Sequence, residues 1–282
     1  MNTLVFALVL CAAFTHATWN FFSKKVSGNF TIFWFGNVTA NLCLLGFTIY
    51  YITTNGFDFR ISPYVIISAI AHALYFASIL YTHSKVDISI VYPITRGTGV
   101  AATAILSYFI FRELITPNAA IGISIVCSGI VLIGLSRTTK QKRDIKTYLV
   151  AFFAGLFAAT YAVTDKQGVQ HMHPIAYINI IDLLALSSLT FFANRNGFSN
   201  SIKIVRKHLK ETLIIGFGSS GTYIIILFAM TLERASYIIS VREFSVVIAS
   251  VLGFIFLKEK PTLFKIFGII CITTGLILIK LS

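Results

Sequence analysis

Residues 105–113 read Ile-Leu-Ser-Tyr-Phe-Ile-Phe-Arg-Glu, and residues 251–259 read Val-Leu-Gly-Phe-Ile-Phe-Leu-Lys-Glu. The two stretches are 146 positions apart, and the same offset pairs Arg96 with Arg242, Gly122 with Gly268 and Gly129 with Gly275. Further upstream, an offset of 142 pairs Trp19 with Tyr161 and Lys24 with Lys166, so a few joint residues differ between the halves. Shared apolar letters mean little in an oily chain. A matched arginine inside an apolar run and a matched glutamate at the end of one mean more, and together they point to a duplication.

The composition says what kind of chain was duplicated. Of its 282 residues 56% are hydrophobic and only 12% charged, against about 25% charged in soluble domains. The mean hydropathy is +0.83. Such a chain cannot cover a water-facing surface with polar groups, which excludes a soluble enzyme or a soluble nucleic-acid binder. A membrane helix needs about 20 predominantly apolar residues. Cutting the chain at charge and turn clusters predicts ten spans, at 3–22, 30–52, 62–81, 87–111, 117–135, 147–164, 174–193, 211–232, 235–257 and 262–279. None alternates as a barrel strand would. The polar joint at 194–210 is long enough for a surface helix.

Each half then holds five spans: residues 1–136 form the first repeat, 137–146 a basic linker and 147–282 the second repeat. Five is odd, so the second repeat enters the bilayer upside down. The expected fold is an all-α integral membrane protein, ten transmembrane helices built as two inverted five-helix repeats around a central cavity. Inverted repeats are a recurrent plan of secondary transporters. Met1-Asn2-Thr3 lacks the basic start of a signal peptide. Cys11, Cys43, Cys127 and Cys271 show no metal spacing and read as packing residues.

The chain carries 23 Lys and Arg against 10 Asp and Glu. Sixteen of the cations fall in odd-numbered joints, five in even joints or at the C-terminal end, and two, Arg96 and Arg242, inside spans. By the positive-inside rule the odd joints are cytoplasmic and both termini outside. The expected setting is a bacterial inner or plasma membrane, with the loop cations against anionic lipid. Nothing places aromatic stacking residues among those cations, so no nucleic-acid partner is expected.

Ionisable groups at membrane depth cost about 2.5–3.5 kcal/mol on insertion scales and mark sites by default. Arg96, Asp182, Arg242 and Glu243 are such groups, with an Arg96–Asp182 pair across the halves as the structural alternative to substrate contact. Other polar residues share helix faces with each other. His16 and Asn20 form a stripe with Lys24, with Trp19 alongside; Tyr92 lies four residues before Arg96. His72 with Tyr75, Asn179 with Asp182, and Ser219 with Tyr223 recur at helical spacing, and Tyr161 matches Trp19 across the repeat. Together they describe a cavity lined by aromatics and a few hydrogen-bonding groups. Pro93, beside Gly97 and Gly99, marks a bend in its span. The paired glycines of the fifth spans read as close helix packing, and Glu113 and Glu259 as structural or interfacial groups.

The five-plus-five plan, the Trp19-Asn20 pair, the Arg112-Glu113 and Lys258-Glu259 endings and the run Tyr92-Pro93-Ile94-Thr95-Arg96-Gly97 resemble the EamA-like transporters of the drug/metabolite transporter superfamily. The resemblance implies a ten-helix, basket-like carrier with a central cavity. It also implies both termini inside the cell, opposite to the charge count. The expected function is secondary transport of a small polar, amino-acid-like or zwitterionic metabolite by alternating access. In this reading Arg96 or Arg242 holds a carboxylate and Asp182 or Glu243 meets an amine or a proton. No nucleotide-binding motif occurs, so an ion or proton gradient is the expected energy source, with no cofactor and no metal. A carrier or exporter of organic cations or drugs is the alternative within the class. A membrane-embedded enzyme lacks any HExxH or GxSxG motif, and a passive scaffold would need no polar stripe. One chain containing both halves is expected to work as a monomer.

Overall fold

A computed structural model describes residues 1–83, 88–135, 145–256 and 262–282. The side chains at 83 and 88–92 lie outside the described residues. Helices fill what is described, with no strand. They run α1 (Thr3–Lys25), α2 (Phe30–Asn55), α3 (Ser62–His83), α4 (Ile88–Phe111), α5 (Pro117–Leu135), α6 (Ile145–Gly168) and α7 (Pro174–Ser188). Then follow α8 (Thr190–Ala193), α9 (Phe198–Lys207), α10 (Leu209–Leu232), α11 (Ala235–Arg242), α12 (Phe244–Phe256) and α13 (Leu263–Leu281).

Among the described residues nine segments are long and apolar enough to cross a membrane, α11 and α12 counting together as one span, Ala235–Phe256. The ends of the helices obey ordinary capping rules, which satisfy the orphan amides of the first turn. Asn2 Oδ1 accepts from Leu4 N at 2.8 Å, Asn29 Oδ1 from Thr31 N at 2.9 Å, and Thr262 Oγ1 from Lys265 N at 3.3 Å. Large apolar side chains such as Leu42, Ile66, Ile70, Phe109 and Phe267 face outward. In water such a surface would aggregate; against lipid tails it is neutral.

Two spans differ from the sequence expectation. The segment at 174–193 is not one helix: α7 ends at Ser188 and Leu189 separates it from α8. The segment at 235–257 is broken after Arg242, where the Glu243 amide turns back to Ser240 O at 3.2 Å. Each segment is still apolar enough overall to count as one span, although the second break falls at the charged pair Arg242-Glu243. Pro93, by contrast, sits inside an unbroken α4, its ring lying where a Cβ at Gly134 of α5 would stand. The joint at 194–210 does contain a surface helix, α9, with Lys203, Arg206 and Lys207 exposed.

Contacts between the halves come in matched pairs: α1 with α10 and α6 with α3, α2 with α10 and α7 with α3, α1 with α12 and α6 with α4. The most extensive seam joins α5 to α13. A Cβ at Gly122 would stand 2.7 Å from Gly275 O, and one at Gly129 2.7 Å from Gly268 O. Real Cβ atoms do not come that close, so only glycine lets these backbones meet. Early residues of α5 meet late residues of α13, so the two helices run antiparallel. Lys280 Nζ donates to Met1 O and Thr3 Oγ1, both at 2.9 Å, holding the two ends of the chain on one face.

Candidate functional site

The matched arginines meet. Arg96, on α4, and Arg242, the last residue of α11, share one carboxylate oxygen. Glu243 Oε1 accepts from Arg96 Nη1 at 3.2 Å and from Arg242 Nη2 at 3.3 Å. Glu243 is fully buried, and among the described residues its Oε2 has no hydrogen-bond partner; neither has Arg242 Nε. Arg96 Nη2 also lies 2.6 Å from His16 Nε2. A guanidinium can only donate, so His16 Nε2 must be the lone-pair nitrogen and this imidazole is uncharged. Trp19 packs edge-on to His16 with ring centroids 5.0 Å apart.

Against this cluster lies a small, narrow-mouthed cavity lined by Tyr75, Thr95, Arg96, Gly99, Ala158, Tyr161 and Arg242. It has room for about one water molecule. Tyr161 is the hub of its aromatic wall. His72 stacks on it at 4.0 Å between centroids, and Tyr75 and Tyr223 meet it edge-on at 5.7 and 5.8 Å. Of the candidates read from sequence, His16, Trp19, His72, Tyr75, Arg96, Tyr161, Tyr223, Arg242 and Glu243 are brought together here.

The others are placed differently. Asp182 does not pair with Arg96; its Oδ2 accepts from Asn41 Nδ2 at 3.2 Å. Asn179 donates to Asn41 O and Asn41 Oδ1 and accepts from Thr48 Oγ1 at 2.9 Å. Ser219 donates to Asn37 Oδ1 at 2.6 Å. These three stitch α7 and α10 to the polar face of α2. The expected Arg96–Asp182 pair gives way because α4 lies against α11, which delivers Glu243, while α7 lies against α2. Asn20 turns back to His16 O at 2.8 Å. The side chain of Tyr92, and the residues Lys258 and Glu259, lie outside the described residues.

Sequence reading missed Asp165 and Tyr177. Asp165 is fully buried. Its Oδ1 accepts from Tyr177 OH at 3.0 Å and its Oδ2 from Tyr223 OH. The usable signal was that Asp165 stands four residues after Tyr161, on the same face of α6. Glu113, read as structural, caps α11: its oxygens accept from Ala235 N at 3.1 Å and Ser236 Oγ at 2.8 Å. A carboxylate there also meets the positive end of the helix dipole.

A second, wide-mouthed recess of about 570 Å3 opens at the ends of α4, α6 and α10, lined by Glu113, Lys166, Gln167, Gln170, Glu233 and Arg234 among others. Lys166 Nζ donates to Met230 O and to Glu233 O, closing the end of α10. Through Arg234 and Tyr237, whose hydroxyl reaches the start of α5, this mouth lies on the face that carries both chain ends. No group of three or more metal-ligating side chains occurs among the described residues.

The geometry is that of a membrane protein with a charged, aromatic-walled centre under one open mouth. A solved crystal structure of a protein superposes on it with a TM-score of 0.74 at 13% identity, over 100% of this chain and 98% of that one. That likeness shows the fold. The search of curated proteins gave no match. The sequence model of the EamA-like transporter family matches twice, at residues 3–135 and again at 145–281, nearly the whole chain in two repeats. The chain therefore belongs to the EamA-like transporter family, within the drug/metabolite transporter superfamily.

Proposed function

We propose that this chain is a secondary carrier that moves a small polar, amino-acid-like or zwitterionic metabolite by alternating access, and that it is not an enzyme. The observation that carries the reading is the shared carboxylate. Two guanidiniums, Arg242 buried and Arg96 partly so, lean on one Glu243 oxygen beside a small cavity, and Arg242 Nε lacks an acceptor among the described residues. A substrate carboxylate would supply acceptors in the forked geometry that arginine favours. Tyr75, Tyr161 and Tyr223 would shape the rest of the pocket.

The architecture proposed for this work is ten spans in two inverted repeats, residues 1–136 and 147–282 about the linker 137–146. Two observations support it. The matched fifth spans, α5 and α13, run antiparallel. Both ends of the chain lie on one face, which fits an even number of crossings, with α7 and α8 proposed as the tenth beside the nine long spans among the described residues. An ion or proton gradient supplies the energy, without a cofactor. The basic face of α9 sits against anionic lipid headgroups, and the chain acts as a monomer in a bacterial inner or plasma membrane.

The test is ligand-induced thermal stabilisation of the purified protein, screened over amino acids, amines and organic acids. Carboxylate-bearing compounds are expected to raise the melting temperature; a ligand at 100 times its Kd adds about 2.7 kcal/mol. Arg242→Ala keeps the Arg96–Glu243 pair and is expected to abolish the shift. Stabilisation by organic cations alone, or an unaltered shift in Arg242→Ala, overturns the reading. Orientation has its own check. The loop charges put odd joints in the cytoplasm, so a reporter fused after Ser282 is expected to be active outside it. Activity confined to the cytoplasm reverses the assignment and turns the open mouth inward.

A further inference from the structure

Asp165 is a buried carboxylate held only by neutral donors. Glu243 has two arginines and Asp182 has Asn41, but among the described residues no lysine or arginine touches Asp165. Its two oxygens are taken by the phenols of Tyr177 on α7 and Tyr223 on α10. A carboxylate kept charged at this depth is expensive unless the state is needed.

The surroundings fit a group that changes charge. His72 of α3 and Asp182 of α7 lie within electrostatic reach of it. On its own helix the neighbour is Tyr161, and Arg242 of α11 acts on both Tyr161 and Tyr223. His72 Nδ1 lies 3.0 Å from Ser68 O and 3.2 Å from Ser68 Oγ, which fixes its ring against the aromatic wall. The next residues of α6, Lys166 and Gln167, line the open mouth.

We propose that Asp165 is the carrier's proton-binding site, the group that couples substrate movement to a proton gradient. The proposal deepens the carrier reading and rests on it. Charged, Asp165 accepts from both phenols and ties α6 to α7 and α10. A proton arriving from water through the mouth converts one oxygen into a donor, so one phenol must let go or turn to accept. Tyr223 is the phenol whose movement reaches the cavity, since its ring packs on His72 and Tyr161. Release of the proton to the opposite side restores both bonds.

The experiment is an infrared pH titration of the protein in phosphatidylcholine liposomes, with no substrate added. Wild type is expected to gain a protonated-carboxyl C=O band as pH falls from mildly alkaline to mildly acidic. Asp165→Asn is expected to lose that band. Tyr223→Phe and Tyr177→Phe keep the carboxyl but remove a hydrogen bond, and are expected to shift the band's frequency. A wild type without a titrating band overturns the proposal. So does a band unchanged in Asp165→Asn or, should that variant not fold, one unmoved by both phenylalanine variants. Absence of ligand-induced stabilisation would instead sink the carrier reading while leaving the band as it is.

Discussion

Glu243→Gln is expected to be the most damaging single substitution at the centre of the protein. The side chain is almost isosteric, so the loss is of charge and not of volume. Glu243 is the acid that Arg96 and Arg242 share. Without its charge two guanidiniums face each other in a region walled off from water. Breaking a buried ion pair by removing one partner costs about 3–5 kcal/mol, a large part of the roughly 5–15 kcal/mol that holds a typical domain folded. The melting temperature in detergent should fall steeply. The double variant Arg242→Gln/Glu243→Gln removes one charge of each sign. It is expected to recover much of the melting temperature while still failing to respond to carboxylate ligands. That split separates the structural worth of the pair from its role in binding, because only coupled neighbours depart from additivity. A single variant as stable as wild type would show that the arginines do not depend on this carboxylate.

Gly268→Leu is expected to prevent assembly of the α5–α13 seam. A Cβ at Gly268 would stand 2.7 Å from Gly129 O and 2.5 Å from Ile133 Cγ1. Backbone cannot rotate away as a side chain can, so the helices must separate along their whole contact. Overpacking a tight core costs typically about 1–3 kcal/mol for small additions, and leucine adds far more than one methyl here. The variant should appear as aggregate instead of a single species on size exclusion in detergent. Gly46→Ala is the control: nothing lies within 4 Å of a Cβ there. In mid-helix that change should be neutral or stabilising by about 0.5–1 kcal/mol. Equal behaviour of the two variants would remove the close-approach argument.

Much of this was legible in the sequence, for identifiable reasons. Span positions follow from apolar length, which the bilayer imposes, and the repeat from the matched Arg96 and Arg242. The glycine pairs were readable as packing, since a repeated i, i+7 gap has few other uses in lipid. The breaks at Leu189 and Glu243 were not, because an apolar segment of span length reads as one crossing even where, as at Arg242-Glu243, a charged pair sits at the joint. Partner choice was not readable either. Asp182 and Glu243 look equivalent as buried acids, and only the packing of α4 on α11 decides that Arg96 meets Glu243. Asp165 escaped because an Asp-Lys pair near a span end looks like an interfacial anchor. Asn41, which takes up Asp182, shares a face of α2 with Asn37, an i, i+4 amide pair that sequence reading passed over.

Two guanidiniums on one carboxylate also have an electrical consequence. Among the described residues the centre carries more positive than negative charge, His16 being neutral. Carrying one elementary charge across the full membrane field takes about 2.3 kcal/mol per 100 mV. An empty centre that reorients along the membrane normal therefore works with or against the resting potential. A zwitterionic substrate adds no net charge, so the loaded centre would feel the same field as the empty one, whereas a net anion would cancel it. Voltage dependence of the loaded step would then tell a zwitterion from an anion as cargo.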